Sequence, residues 1–241
     1  MTKNELNQNA KFVQEFLNDI EPDFVFSKKT LDRFNFKKKK INQIKDNPGK
    51  HERLIALKEK IISIEDCNLK KGAKNLVLGD GNINSPIMFI GESPGEKEDN
   101  LGFSYQGDVG TLLNKMLWAI KIKREKIYTA YSINFKIPND KKPSNYMIKR
   151  YSVFLKEHIS IIDPKIIVLM GSTAMESLMG FNEKISNERG KWKEVIFNKT
   201  TFPMIITYSP SYLLRFPEYK KYSWDDLKKI KQKIHELNIK I

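Results

Sequence analysis

Apolar residues change their spacing along this chain near residue 75. Before that point, the segments "KFVQEFLNDI" and "ERLIALKEKIISI" repeat apolar positions three and four residues apart, which predicts amphipathic helices. After it come short apolar runs at 86–90, 127–133, 165–170 and 203–207, each followed by a loop and by helical spacing near 108–121, 144–162, 172–179 and 222–237. The pattern predicts strands that alternate with helices.

Such alternation is typical of parallel strands joined by right-handed helical crossovers. We therefore predict an α/β fold, a three-layer α/β/α sandwich with a central, mostly parallel four-stranded sheet. Residues 1–60 are polar and basic and predict an N-terminal helical extension, with the main domain over residues 61–241. The loops after the strands should gather at one edge of the sheet, where open α/β sheets bind ligands.

The loop after the first apolar run contains "GESPGEKED", with Glu92, Glu96, Glu98 and Asp99 close together. It lacks the Lys-Ser/Thr pair of a P-loop and the glycine spacing of dinucleotide-binding folds. Its glycines allow a tight turn and the close approach of a flat ligand to the backbone. The carboxylates could serve such a site or could simply cap the next helix, and their spacing leaves both readings open.

The loop after the last run reads "SPSYLLRFP", which places Leu213 and Leu214 beside Arg215. Apolar side chains next to a cation suit a wedge that enters a base stack while the cation holds a phosphate. The two leucines could equally be core residues of a short helix.

The net charge of +14, from 43 Lys and Arg against 29 Asp and Glu, points to a polyanionic partner. We expect that partner to be DNA or another nucleic acid. A surface enriched in lysine throughout would give the same balance, and "FKKKK" at 36–40 is typical of a solvated face.

Cys67 is the only cysteine and the three histidines are scattered, so we predict no internal disulfide and no metal site. The chain contains no apolar run of about 18 residues, and its start is polar. These features predict a cytoplasmic protein with no membrane segment. The absence of heptads and of a self-complementary edge favours a monomer.

Four segments in order resemble the uracil-DNA glycosylase superfamily, and most of all its family four. The family pattern "GEAPG-x-x-ED-x-x-G-x-PFVG-x-x-G-x-LL" is similar to residues 91–113, and the family's "HPAYLLR" is similar to residues 209–215. "DPKIIVLMGSTAMESLMG" and "ISNERGKW" also resemble family segments. The resemblance covers about residues 60–235, and the N-terminal arm looks similar to that of alphaproteobacterial members.

The resemblance implies hydrolysis of the N-glycosidic bond of a flipped base, with carboxylates that position water and stabilise the sugar cation. By resemblance, the catalytic residues are Glu92, Glu98 and Ser209; the base-binding residues are Gly91, Ser93, Tyr105 and Tyr131; and the DNA-binding residues are Ser211, Tyr212, Leu213, Leu214 and Arg215. Tyr105 lies where the family has a phenylalanine that stacks on the base, and its ring preserves that π-face.

Two departures concern recognition of the base. Tyr131 stands where the family has an asparagine that reads the uracil edge, and a hydroxyl cannot copy the donor–acceptor pair of an amide. A shift of three residues along the strand would offer Asn134 instead. Ser209 replaces the motif histidine, and the loss of one hydrogen-bond donor predicts a rate loss of about 10²–10³.

A third departure concerns the four-iron cluster that family four usually holds with four cysteines. Here Cys67 stands with Ile64, Phe135 and Tyr151 at the aligned positions. One thiolate cannot hold the cluster, so we predict that it is absent and that packed side chains fill its place. We expect no cofactor.

Two functional hypotheses follow. The first is a monofunctional DNA glycosylase of base excision repair that removes a deaminated base, with uracil as the leading substrate and hypoxanthine or xanthine as alternatives. The second is a protein of the same fold that binds DNA with weak turnover or none. The retained Glu92 and the "PSYLLR" segment favour the enzyme.

Overall fold

The computed structural model describes residues 49–65, 67–138, 141–180, 183–197 and 199–241. The helix predicted from "KFVQEFLNDI", the lysine run at 36–40 and most of the predicted 1–60 extension lie outside these residues. The first helix, α1, spans Lys50–Ile62 and corresponds to the second N-terminal prediction. Its Leu57 and Ile61 are fully buried in the main core. The extension as a separate domain stays a prediction.

Six strands of the described residues form one sheet in the order β1-β3-β2-β4-β6-β5. The strands are β1 (Gly79–Gly81), β2 (Ile87–Gly91), β3 (Tyr128–Tyr131), β4 (Ile166–Met170), β5 (Trp192–Phe197) and β6 (Thr200–Thr207). The central β3, β2, β4 and β6 are parallel to one another, and they are the four strands that the apolar runs predict.

The predicted count of four strands needs correction, because β1 and β5 add an antiparallel strand at each edge. β1 is only three residues, Gly-Asp-Gly, and has no apolar run to reveal it. The side chains of β5 are intermediate or exposed, since an edge strand is only partly covered by its neighbours.

Of the helices after α1, one precedes the first strand and the others lie between or after the strands. They are α2 (Asn68–Gly72), α3 (Glu96–Leu101), α4 (Gly107–Ala119), α5 (Asn145–Ile162), α6 (Ser172–Met179), α7 (Ile185–Glu188), α8 (Pro210–Arg215) and α9 (Lys220–Glu236), with 3₁₀ turns at Arg124–Lys126 and Pro217–Tyr219. The four helices predicted to follow the apolar runs are confirmed as α4, α5, α6 and α9. In the part of the chain described, no helix is long and apolar enough to cross a bilayer.

Alternate strand residues face opposite sides of the sheet, so the core has two halves. Met88 and Ile90 belong to the half that packs against α1, α5 and α6. Ile87 and Phe89 belong to the half that packs against α4 and α9. The predicted α/β/α sandwich is confirmed, and the carboxyl ends of the parallel strands open on one edge.

Candidate active site

A cavity of about 550 Å³ opens at the carboxyl edge of the parallel strands. Loops after β2, β3, β4 and β6 line it, as the topology of an open α/β sheet predicts. The predicted site residues found in its wall are Gly91, Glu92, Ser93, Glu98, Tyr105, Tyr131, Ser209, Ser211, Leu214 and Arg215. Residues up to 124 positions apart in the chain therefore meet in one place (215 − 91).

The carboxylate of Glu92 is anchored at the N-terminus of α6. Its Oε1 accepts hydrogen bonds from the backbone N–H of Thr173 at 3.1 Å and from the hydroxyl of Ser172 at 3.3 Å. The close approach needs Gly171, where a Cβ would lie 2.4 Å from the Glu92 Cδ. Oε2 accepts no hydrogen bond from any described residue, so one oxygen is fixed while the other can meet water or substrate.

Glu98 is 4% exposed and uses both carboxylate oxygens within the loop. Oε2 accepts from the backbone N–H of Gly95 at 3.1 Å, and Oε1 accepts from that of Gln106 at 2.9 Å. Glu98 is the third residue of α3, so the first bond completes a capping box. The side chain thus ties together the two ends of the 95–106 loop at the cavity wall.

Tyr105 and Tyr131 form a stacked pair in the cavity wall. Their ring centroids are 5.0 Å apart at an interplanar angle of 26°, and the Tyr105 N–H donates to the Tyr131 hydroxyl at 3.0 Å. The hydroxyl of Tyr105 is buried and has no hydrogen-bond partner among the described residues. Burial is the main cause that raises the pKa of both phenols above its ordinary value, so both stay protonated at neutral pH.

Gly91 lets the Tyr105 ring approach the end of β2. A Cβ on Gly91 would lie 2.1 Å from the Tyr105 hydroxyl oxygen and 3.1 Å from Cδ1 of Tyr131. The backbone of Tyr105 itself has a φ of 52°, in the left-handed region that disfavours side chains. Both features bring the aromatic pair against the strand end.

Asn134 is not part of the cavity wall. Its side chain is buried, and Nδ2 donates to the carbonyl oxygens of Val77 at 3.2 Å and Leu78 at 3.5 Å. The amide therefore holds the chain that leads into β1. The structure brings Tyr131, and not Asn134, to the cavity wall.

Ser209 begins α8 as its N-cap. Its Oγ accepts from the backbone N–H of Tyr212 at 3.3 Å and lies 3.1 Å from the Ser211 hydroxyl. Leu213 is 1% exposed and belongs to the core, whereas Leu214 is 39% exposed at the cavity rim. The helix thus separates two predicted DNA contacts, because adjacent helical residues point about 100° apart.

Sequence reasoning did not select several residues of the wall, among them Lys141, Lys142, Ser172 and Thr173. The two lysines follow β3 in "KIPNDKKPSN", and Nζ of Lys142 lies 3.2 Å from a carboxylate oxygen of Glu176. Because this loop also leaves the carboxyl end of a parallel strand, its position was a usable signal.

The four positions aligned with cluster cysteines are packed against one another or the same core. Sγ of Cys67 lies 3.2 Å from the Tyr151 hydroxyl, and the rings of Phe135 and Tyr151 meet edge to face at 6.5 Å. Ile64 packs against the same core half. The described residues contain no group of three or more His, Cys, Asp or Glu arranged for a metal ion. A single thiol among apolar and aromatic side chains does not fit a four-cysteine cluster.

Comparison with known proteins gives consistent matches. The family model described as "Uracil DNA glycosylase superfamily" matches residues 78–228. The chain is 32% identical to the type-4 uracil-DNA glycosylase of Thermotoga maritima, over 76% of this chain and 95% of that protein. It is 35% identical to the enzyme of the same name from Sulfurisphaera tokodaii, over 74% of this chain and 84% of that protein. The corresponding protein of Archaeoglobus fulgidus is 31% identical over 74% of this chain.

Proposed function

This chain belongs to the uracil-DNA glycosylase superfamily, and we propose that it is a monofunctional DNA glycosylase that removes uracil from DNA in base excision repair. The observation that carries the proposal is the single cavity that joins Glu92, the aromatic pair and the α8 segment. A cavity of about 550 Å³ has room for a flipped nucleotide.

In the proposed reaction, a flipped base enters beside Tyr105 and Tyr131. The bond between C1′ and the base nitrogen breaks, its electron pair leaves with the base, and positive charge develops on the sugar. Oε2 of Glu92 positions a water molecule, whose oxygen bonds to C1′ while one of its protons passes to solvent, and the departing base anion takes up a proton in turn. Oε1, fixed by Thr173, keeps the carboxylate in place throughout.

Ser209 is the proposed donor to an oxygen of the leaving base. Because Oγ accepts from the Tyr212 N–H, its own hydrogen can turn towards a ligand. Serine supplies one neutral donor where the family motif has histidine, which supports turnover slower than that of the histidine enzymes by about 10²–10³.

Three further residues have proposed roles at the wall and rim. Glu98 stays a predicted catalytic group, and its two backbone hydrogen bonds support a positioning role for the 95–106 loop. Leu214 and Arg215 lie exposed at the rim, where an apolar wedge and a phosphate contact would grip the strand.

We also propose that the protein works without an iron-sulfur cluster. The support is the packing of Cys67, Phe135 and Tyr151 where the family would place thiolates. Protein purified without oxygen should contain less than about 0.1 iron per chain and show no absorbance near 400 nm. Stoichiometric iron and sulfide would contradict this proposal without affecting the one on glycosylase activity.

The test of glycosylase activity uses labelled single-stranded and duplex oligonucleotides that contain uracil, hypoxanthine or xanthine, followed by alkaline cleavage at abasic sites. We expect strand breaks at uracil, and Glu92→Ala or Glu92→Gln should lower the rate about 10²–10⁴-fold. Glu96→Gln is the matched control, because Glu96 lies in the same loop but outside the cavity and pairs with Lys136.

Strand breaks only at hypoxanthine or xanthine would mean that the enzyme removes that base instead of uracil. That outcome has structural support, since the Tyr131 hydroxyl already accepts from the Tyr105 N–H and cannot offer a base the donor–acceptor pair of an amide. DNA binding without breaks at any base would overturn the enzyme and leave the second hypothesis, a DNA-binding protein of this fold.

A further inference from the structure

A chain of five aromatic rings starts at the residue before Ser209, which lines the cavity. The aromatic ridge consists of Tyr208, Tyr212, Phe216, Tyr219 and Tyr222. Tyr208 stacks on Tyr212 with centroids 5.1 Å apart, Phe216 follows at 4.8 Å from Tyr212, and Tyr219 lies 5.3 Å from Tyr212 and 5.9 Å from Tyr222. The rings therefore support one another as a single packed unit.

The ridge rises from the core to the surface. Tyr208 is buried, Tyr212 and Tyr219 are half-buried, and Phe216 and Tyr222 are 42% and 39% exposed. Phe216 has packed rings behind it, and part of its side chain meets solvent. A ring held in this way loses little conformational freedom when a flat ligand stacks on it.

Positive charge accompanies the ridge. Residues 212–222 carry three cations, Arg215, Lys220 and Lys221, against one acid, Glu218. Nζ of Lys221 lies 5.0 Å from the centroid of Tyr222, and Arg215 lines the cavity. Exposed rings interleaved with cations are the surface on which unpaired nucleic-acid strands bind, since bases stack on the rings and phosphates meet the cations.

We propose that the aromatic ridge is a second nucleotide-binding site, on which Phe216 stacks an unpaired base next to the nucleotide held in the cavity. The occupant is single-stranded DNA. Leu214 and Arg215 line the cavity and lie between Tyr212 and Phe216 in the chain, and the net positive charge of residues 212–222 complements the phosphate backbone. The inference rests on the proposed function, because it extends the strand that the cavity would hold.

The site has a consequence for substrate preference. Bases of a duplex are paired and stacked on one another, so their faces cannot meet Phe216 without strand separation. The ridge therefore favours single-stranded over duplex DNA at equal length and charge.

The first experiment measures the Kd of a uracil-free thymine oligonucleotide by fluorescence anisotropy, so that base excision plays no part. Phe216→Ala should raise the Kd about 5- to 150-fold, which corresponds to the loss of one base–aromatic stack of about 1–3 kcal/mol. Phe216→Trp should stay within about twofold, because it keeps the π-face, whereas Phe216→Leu should behave like Phe216→Ala.

Two controls separate stacking from general effects. Trp118→Ala removes a ring that is 72% exposed with Lys121 over it at 5.3 Å but lies on α4, outside the ridge, and it should leave the Kd unchanged. An abasic strand of the same length has phosphates but no bases, so wild type and Phe216→Ala should bind it equally.

Failure of the ridge can be told apart from failure of the glycosylase. The proposal that the ridge binds a base would be wrong if Phe216→Ala leaves the Kd for thymine strands unchanged. It would also be wrong if the variant loses the same affinity for the abasic strand, even if uracil is excised. A loss confined to strands with bases would support it even in a protein that cleaves nothing. If wild type binds no single strand, the ridge is likewise overturned.

Discussion

The two stacked tyrosines of the cavity respond in opposite directions to the same substitution. Tyr105→Phe removes a buried hydroxyl that has no partner among the described residues. Tyr131→Phe removes a hydroxyl that accepts from the Tyr105 N–H at 3.0 Å. Both rings are almost fully buried and both variants keep the ring, so each serves as the other's control.

The magnitudes follow from the hydrogen bonds. A buried polar group without a partner costs about 1–3 kcal/mol. Tyr105→Phe recovers this cost and leaves a void of about 15 Å³, which costs about 0.4 kcal/mol at about 24 cal/mol per Å³. We therefore expect the free energy of unfolding to rise by about 0.5–2.5 kcal/mol. Tyr131→Phe leaves the Tyr105 N–H unpaired and should lower it by about 1–3 kcal/mol.

Urea unfolding monitored by circular dichroism measures both changes in the free energy of unfolding. Thermal scans give a check, because the midpoint temperature should shift by about 2–4 °C per kcal/mol for a protein of this size. Tyr105→Phe also restores the ring of the family pattern, so its excision rate should equal that of wild type or exceed it. Destabilisation of Tyr105→Phe by more than about 0.5 kcal/mol would refute the reasoning, because it would mean that the hydroxyl has a partner in solution.

Three further predictions concern buried positions. Gly91→Ala drives a methyl group into the Tyr105 hydroxyl and should cost about 1–3 kcal/mol in urea unfolding and reduce excision. Asp226→Ala leaves the largely buried Arg189 unpaired and should cost about 3–5 kcal/mol by the same measurement. Burial lowers the pKa of His158 to about 3, so the protein should lose about 1.4 kcal/mol of stability per pH unit from this group as pH falls from about 6.5.

The outcomes that contradict these predictions are equally specific. In the double variant Gly91→Ala/Tyr105→Phe, the methyl group no longer meets a hydroxyl, so part of the stability lost in Gly91→Ala should return. If the two changes in unfolding free energy simply add, the methyl group and the hydroxyl do not collide. Asp225→Ala, which breaks an exposed pair with Lys228, should barely change the unfolding midpoint and serves as the control for Asp226. His158 should show no imidazole titration by NMR between pH 8 and 5, and a midpoint near 6.5 would mean that the ring is solvated.

Whether acid stabilises or destabilises the protein through His158 depends on which state, folded or unfolded, binds the proton more tightly. The unfolded chain protonates its histidine near pH 6.5, while the folded protein keeps the ring neutral against the Tyr128 hydroxyl at 3.0 Å. Between the two pKa values the unfolded state binds more protons, so acid favours unfolding. Stability from this group is complete above about pH 6.5.

Much of the site could be read from the chain because its residues lie in a few short segments. Glu92 directly follows the strand that the first apolar run predicts, and loops after parallel strands gather on one edge. The same rule places the aromatic residues and the α8 segment on that edge. Lys141 and Lys142 also lie in a loop after a parallel strand, so their position was a clue to the site. Their residue type was not, because lysine is common throughout this chain.

The sequence by itself determined the alternation of strands and helices, the parallel direction of the central strands and the family, because these depend on the spacing of apolar residues and on local motifs. Tertiary structure alone decided which side chains meet. It added the edge strands, which have little apolar pattern. It also set the hydrogen bond that the Tyr105 N–H donates to the Tyr131 hydroxyl. It also placed Leu213 in the core and Phe216 on the surface. Such contacts join residues distant in the chain, and their geometry is set by the packing of whole layers rather than by neighbouring residues.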